Sequence, residues 1–138
     1  EDLPELENTV TLDPNMVDSN GIPAPKITYK MSENSKKMLV HGLKRGKEVM
    51  TAAGSSKNLA FGPVRKAGWH LMGTARMGKD PKSSVVNEWG QSHDVKNLFI
   101  VDSSIFVTSA GVNPVSTMQA LALYIADTMK KNIKSLLN

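Results

Sequence analysis

The longest uncharged stretch of the chain, the 24 residues between Asp102 and Asp127, constrains the fold more than any other feature. Its length alone would be sufficient for a membrane span. Pro114, Asn113 and Gln119, together with several Ser and Thr residues, argue against a span because lipid does not satisfy polar backbone and side-chain groups. We therefore expect a buried strand, a turn and a helix that together line a cavity.

Pro114 indicates where the helix in this stretch begins. Proline at the first helical position gives up only an amide that has no partner, and Asn113 before it is a favoured N-cap. The apolar run Asn97–Asp102 that precedes the stretch is typical of a buried strand whose end meets a site. The expected apolar face of the helix comprises Met118, Leu121, Ala122, Ile125, Met129 and Ile133.

The amino-terminal half predicts two strands. Thr9–Leu12 alternates polar with apolar residues and ends at Asp13-Pro14, which favours a turn. Residues 19–21, Ser-Asn-Gly, suit a turn with positive φ, and the prolines after them favour extended chain leading into a second strand, Lys26–Tyr29. A hairpin, or two neighbours in a larger sheet, is therefore expected.

A helix follows this pair of strands. Ser32 is a suitable N-cap, the helix extends to about Ala53, and Gly54 stands where helices favour a left-handed residue. The polar segment after it places a domain boundary near Lys57. The predicted class is α+β, with residues 1–57 forming part of an antiparallel sheet and a helix, and residues 58–138 supplying the last strand and the long carboxy-terminal helix.

Composition excludes several classes of protein. With 138 residues and 40% hydrophobic content, the chain provides one modest core or a piece of a larger one. The absence of cysteine excludes disulfides and thiolate metal sites. Its net charge of +4 is dispersed and only 5% of residues are aromatic, which argues against nucleic-acid binding. The acidic start lacks the features of a signal peptide, so we expect a soluble chain whose compartment stays open.

His70 is the candidate base. Gly68, Gly73 and Gly78 surround it, and three glycines in eleven residues favour close backbone approach to a ligand over packing. A neutral imidazole there would accept the proton of a substrate hydroxyl. The alternative is a packed structural histidine, the commoner fate of a lone histidine. A metal site formed with His93 and Asp94 matches no standard zinc spacing, so no metal is expected.

Asn113 has two compatible roles, as a helix cap and as a hydrogen-bonding group in a site. A helix that begins at Pro114 directs its free amides and the positive end of its dipole towards a ligand in front of it. If the Asn113 side chain points into the site, Ser116 or the preceding backbone must satisfy the first turn. Arg76 has similar alternatives, a phosphate or carboxylate partner outside this chain or, more commonly, a structural salt bridge.

Taken together, the segments resemble the carboxy-terminal part of the glucose-methanol-choline (GMC) flavin oxidoreductases. The matching motifs in the second half are His70–Gly78, Asp80-Pro81, Ser84–Asn87, Gly90, Asn97–Ser103, Gly111–Pro114, Thr117 and Gln119–Leu123. Residues Val10–Pro14, Gly21–Pro23 and Ile27–Tyr29 resemble the sheet-forming stretch upstream, particularly in members that act on sugars and polyols.

The resemblance implies an FAD enzyme that oxidises a CH-OH group of an alcohol, sugar or polyol by hydride transfer. His70 would be its base and Asn113 the partner of that base. Asp102 and Ser103 would lie near the ribityl-diphosphate of FAD, and Asn113, Pro114 and Thr117 near the ring. The electron acceptor, whether oxygen, a quinone or a cytochrome, stays open.

The sequence has no Gly-x-Gly-x-x-Gly element to hold a dinucleotide diphosphate. In the family this element lies at the amino-terminal end of a longer polypeptide, so a missing FAD-binding portion is the expected partner and the isolated chain is expected to be inactive. The rival hypothesis is a non-catalytic module that retains the fold and docks its basic first helix on an acidic partner.

Overall fold

The computed structural model describes residues 2–63 and 68–136. Within these ranges the chain contains two strands, β1 (Thr9–Val17) and β2 (Pro23–Thr28), and two long helices, α1 (Glu33–Ala52) and α2 (Val115–Leu136), with a short 3-10 helix at Ser103–Ile105 before α2. The architecture is α+β, as predicted. No helix in these ranges combines the length and apolar character that crossing a membrane requires.

β1 and β2 form an antiparallel hairpin in which Thr9 pairs with Thr28 and Leu12 with Pro25. Gly21 has φ +80° in the connecting turn, which confirms the turn that the sequence predicts. Asp13, however, does not end the strand. Its carboxylate accepts from the amides of Asn15 and Met16 at 2.9 and 3.0 Å, so that this segment is an irregularity inside a longer β1.

α1 has the ends that the sequence predicts. The Ser32 hydroxyl accepts from the Ser35 amide at 3.0 Å, and Gly54 after the helix has φ +90°. Leu39 and Leu43 on one side are half-buried, whereas Met50, which belongs to the same predicted stripe, is 53% exposed. Most of the α1 surface is therefore open in this chain.

The predicted last strand at Asn97–Asp102 is absent. Phe99 forms only an isolated bridge with Gln91, and the Ile100 amide donates to the Gly90 carbonyl at 2.7 Å. A strand needs a partner along several consecutive residues, and within the described ranges only the short segment 90–92 lies beside this run. The run is a loop, and its Leu98 and Val101 are 46% and 41% exposed.

The core lies in the second half of the molecule. Val86, Ile105 and Ile125 are fully buried, and the side chains packed around them are Met77, Ile100, Phe106, Leu121 and Met129. Ile125, Leu121 and Met129 belong to the predicted apolar face of α2. α2 is thus held on the loops at 77–106, while Ile133 near its end is 41% exposed.

Candidate active site

His70 lies on the wall of a cavity of about 570 Å³. The other walls come from the start of the chain (residues 2–10), the end of β2 with Tyr29, and the segments 82–85 and 106–109. The His70 imidazole is exposed and has no hydrogen-bond partner among the residues that the structure describes. An imidazole in this position is free to accept a proton from a molecule in the cavity.

Three backbone hydrogen bonds join the segment after His70 to the 3-10 helix. The amides of Gly73, Ala75 and Met77 donate to the carbonyls of Ser103, Ser104 and Ile105 at 3.4, 2.9 and 2.8 Å. Gly73 has φ +86°, and a Cβ there would lie 3.2 Å from the Phe106 carbonyl oxygen. Any other residue would be strained where the two segments meet. The ladder fixes the position of one candidate segment relative to the other.

His93 supports the same loop from its other side. Its Nε2 lies 3.0 Å from the Gly78 carbonyl and 3.0 Å from the Ser84 hydroxyl oxygen. That hydroxyl donates to the Asp80 carbonyl at 2.6 Å, so Nε2 carries the proton and donates to both acceptors. The ring of His93 is half-buried, and its hydrogen bonds hold the loop together.

Arg76 is not in the salt bridge that the sequence favours. Its Nε donates to the Ser83 carbonyl at 2.7 Å, and no ion pair of its guanidinium is found within the described ranges. The side chain lines the cavity that contains His70. It therefore joins the 73–78 loop to the segment at 82–85 through a backbone carbonyl.

Asp102 caps the 3-10 helix. Its Oδ1 accepts from the Ser104 amide at 2.8 Å. Hydrogen bonds from the Ser104 side chain and backbone lower the pKa of the Asp102 carboxyl. Asp102 is exposed, and the carbonyl of its neighbour Ser103 accepts from Gly73 in the ladder. Asp102 and Ser103, two of the five predicted cofactor-binding residues, thus lie at the junction of the two candidate segments.

α2 begins one residue later than predicted. The Met118 amide donates to the Pro114 carbonyl at 2.9 Å, which places buried Pro114 at the N-cap and leaves Asn113 before it. No hydrogen bond from the Asn113 side chain to the first turn is found within the described ranges, so the predicted cap at Asn113 is wrong. Proline fits at this boundary because it has no amide to leave unpaired.

The start of α2 presents exposed hydrogen-bond donors. The amides of residues 115–117 precede the first intrahelical bond, and the side chains of Asn113 and Thr117 are exposed. Amides, a carboxamide and a hydroxyl at the positive end of α2 fit the acceptor oxygens and nitrogens of a flavin ring. Asn113 lies outside the cavity that His70 lines, so the described residues do not bring the two into one cavity.

No three His, Asp or Glu side chains in the described parts of the chain are grouped so that they could hold a metal ion. The candidate metal ligands His70, His93 and Asp94 do not form such a group. His93 donates to Gly78 and Ser84, and Asp94 is exposed.

Comparison with known proteins identifies the family. Residues 4–122 match the model of the GMC oxidoreductases. The chain is 41% identical to the 2-methyl-1,2-propanediol dehydrogenase of Mycolicibacterium austroafricanum over 100% of its own length and 25% of that protein. It is 33% identical to the fructose dehydrogenase large subunit of Gluconobacter japonicus, over 96% of this chain and 24% of that protein.

A third relative matches only part of the chain. A long-chain-alcohol oxidase of Arabidopsis thaliana is 42% identical over 45% of this chain and 9% of its own length. The chain thus spans about a quarter of the length of the two relatives that cover it almost completely. From the family match and these identities, the chain belongs to the GMC oxidoreductase family and corresponds to its carboxy-terminal domain.

Proposed function

We propose that the chain supplies half of the active site of an FAD-dependent oxidoreductase that oxidises a CH-OH group of an alcohol, sugar or polyol. The observation that carries the proposal is the His70 imidazole, which is exposed on a 570 Å³ cavity and has no hydrogen-bond partner in the described residues. The names of the relatives, a diol dehydrogenase and a fructose dehydrogenase, support CH-OH donors of this kind.

In this proposal His70 is the base. Its neutral imidazole accepts the hydroxyl proton of the substrate while the C-H bond of the same carbon is broken. A bound FAD would supply the hydride acceptor for that carbon. The ladder from Gly73 to Met77 keeps the His70 segment aligned with Ser103–Ile105, so that the base is held against the part of the chain that faces the cofactor.

Asn113 and the start of α2 act on the cofactor side. The first-turn amides and the Asn113 carboxamide donate hydrogen bonds to acceptors in front of the helix, with Pro114 and Thr117 beside them. In this proposal Asp102 and Ser103 contact the ribityl-diphosphate. We also propose a domain boundary near Lys57, with residues 1–57 on the substrate side and residues 58–138 completing the flavin domain. The proposed partner of the chain is a separate FAD-binding portion.

Replacing His70 in the full-length protein tests the proposal. We expect His70→Ala to lower kcat by about 10²- to 10⁴-fold with flavin still bound, because a base acts in the chemical step. His41→Ala is the matched control, since His41 is exposed on α1 and does not line the cavity. Unchanged turnover in His70→Ala would remove His70 from the mechanism.

Flavin absorbance of the same full-length protein distinguishes the proposed enzyme from the rival hypothesis of a non-catalytic docking module. A docking module that merely retains the fold has no use for a bound flavin, so a colourless protein without alcohol oxidation would favour it. The 2-methyl-1,2-propanediol and fructose named in the relatives are the first substrates to test.

A further inference from the structure

Asp2 lies at the centre of a cluster of hydrogen bonds that joins four segments. Its amide donates to the Ser109 hydroxyl oxygen at 2.8 Å, and that hydroxyl donates back to the Asp2 carbonyl at 3.0 Å. The Tyr29 hydroxyl donates to Oδ2 of Asp2 at 2.5 Å, and the Ser35 hydroxyl donates to Oδ1. We call Asp2, Tyr29, Ser35 and Ser109 the Asp2 clasp.

The start of α1 and two hydroxyl donors hold the Asp2 carboxylate in place. Ser35 is 7% exposed and lies in the first turn of α1, where the Ser32 cap also accepts from its amide. An anion at the amino-terminal end of a 20-residue helix is stabilised by the free amides and the dipole. Both carboxylate oxygens of Asp2 have a hydroxyl donor, so the group is satisfied as an anion.

The clasp also borders the candidate site. Asp2, Tyr29 and Ser109 line the same cavity as His70. Ser109 follows Phe106, whose carbonyl lies beside Gly73, and precedes Asn113 by four residues. The clasp therefore ties β2 and α1, which belong to residues 1–57, to the loop that leads from the His70 ladder to the start of α2.

We propose that Asp2 is a positioning residue, which through Ser109 sets the loop 106–113 and the wall of the His70 cavity against the hairpin and α1. This inference rests on the proposed function, because the loop matters to catalysis only if His70 and Asn113 act there. Asp2 contacts no reacting atom in this scheme. It acts through Ser109 by restricting the geometry in which a substrate meets the base.

Hydrogen exchange and kinetics of the full-length protein test the clasp together. In Asp2→Ala and Ser109→Ala we expect faster deuterium uptake by peptides from residues 106–113, because local opening of this loop becomes easier. We expect kcat/KM per bound flavin to fall by about 10- to 100-fold. Ser109→Thr keeps the hydroxyl and is expected to restore both properties, while Asp94→Ala and Ser56→Ala, at exposed residues outside the clasp, serve as matched controls.

A double-mutant cycle gives the sharper readout. Asp2→Ala removes the bonds from Tyr29 and Ser35 to the carboxylate, whereas Ser109→Ala removes the bonds to the Asp2 backbone. Because these two links act in series between α1 and the loop, the double variant should lose about as much kcat/KM as either single variant. Additive losses would overturn the proposal, as would normal uptake at 106–113 in both single variants. If unfolding prevents measurement of Asp2→Ala, Asp2→Asn and Ser109→Ala form the cycle, since asparagine keeps the shape and removes the charge.

The outcomes distinguish the clasp from the enzyme assignment. Faster uptake at 106–113 with unchanged kcat/KM would overturn the positioning role and leave the proposed function standing. A wild-type protein without flavin or alcohol oxidation would overturn the proposed function, and with it the positioning role, while the uptake measurement still reports whether Asp2 holds the loop.

Discussion

At the scale of single residues, the hydrogen bond from Tyr29 to Asp2 changes the pH at which the Tyr29 hydroxyl ionises. Because the Tyr29 hydroxyl donates to the Asp2 carboxylate, ionising it would break this bond and bring two negative charges together. The hydrogen bond, followed by desolvation and the charge of Asp2, raises the pKa of Tyr29 from 10.0 to about 12. The native state thus keeps the phenolic proton over a pH range in which the unfolded chain releases it.

Titration of Tyr29 at alkaline pH tests this hydrogen bond. The stability that this bond contributes is fully present below pH 10.0 and is lost as pH rises towards about 12. We expect the difference in tyrosinate absorbance between the wild-type protein and Tyr29→Phe to show a midpoint near the upper value. Tyr124→Phe is the control, because Tyr124 is outside the clasp and packs its ring on Trp89. A Tyr29 midpoint near 10.0 would mean that the bond to Asp2 does not form in solution.

The histidines show how much of a site can be predicted from local sequence. The glycines around His70 predict a close backbone approach, and Gly73 beside the Phe106 carbonyl is such an approach. His93 has no comparable local signal. Its acceptors, Gly78 and Ser84, are 15 and 9 residues away, so its role depends on how loops fold together. The clasp escaped prediction for the same reason, since Asp2 and Ser109 are 107 residues apart.

At the scale of elements, local signals predicted α1 and the hairpin well. The Ser32 cap, Gly54 and the turn at Gly21 each depend on a few adjacent residues, and each is observed. The apolar character of Asn97–Asp102 predicts a strand, but strand formation also depends on a distant partner, which local sequence does not reveal. The observed N-cap of α2 is Pro114, one position after the predicted Asn113. Both residue types suit a helix start, and only the hydrogen bond from the Met118 amide to the Pro114 carbonyl shows which of them is the N-cap.

At Gly90 the backbone comes close to Ile100, in the run that is a loop and not the predicted strand. It has φ +69°, and a Cβ there would lie 2.5 Å from the Ile100 carbonyl oxygen, too close for any side chain. Gly90→Ala is therefore expected to destabilise the full-length protein by about 1–3 kcal/mol. Gly46→Ala on α1 is the opposite case, because nothing lies within 4 Å of its Cβ position, and it should stabilise the helix by about 0.5–1 kcal/mol.

Denaturant midpoints of the two glycine variants check this contrast. Movement of the midpoints in opposite directions is the expected result. A Gly90→Ala protein as stable as the wild type would show that the approach of Ile100 to Gly90 is looser in solution than in the structure. The loop at 97–102 would then have no fixed place against the core.

At the scale of the whole molecule, the surface is large for the mass. The chain exposes 10840 Å², whereas a compact monomer of its 15.0 kDa exposes roughly 7,000 Å². Val86, Ile105, Ile125 and Pro114 are the fully buried apolar side chains in the described ranges. The apolar residues of the hairpin are exposed, among them Val10 (49%), Leu12 (69%) and Ile27 (71%). A hairpin of two strands and an open helix gain little stability without a further layer.

This surface carries the last prediction. Large contiguous apolar areas on a soluble chain promote association, so we expect the 138-residue chain expressed alone to self-associate and to bind a hydrophobic dye. Sedimentation velocity and dye fluorescence measure both properties. Co-expression with the proposed FAD-binding portion should suppress them, because burial against that portion removes the hairpin and the exposed side of α1 from water. A chain that is monomeric, dye-silent and cooperatively melting by itself would show that these faces need no partner, and the proposed half-site arrangement would then be wrong.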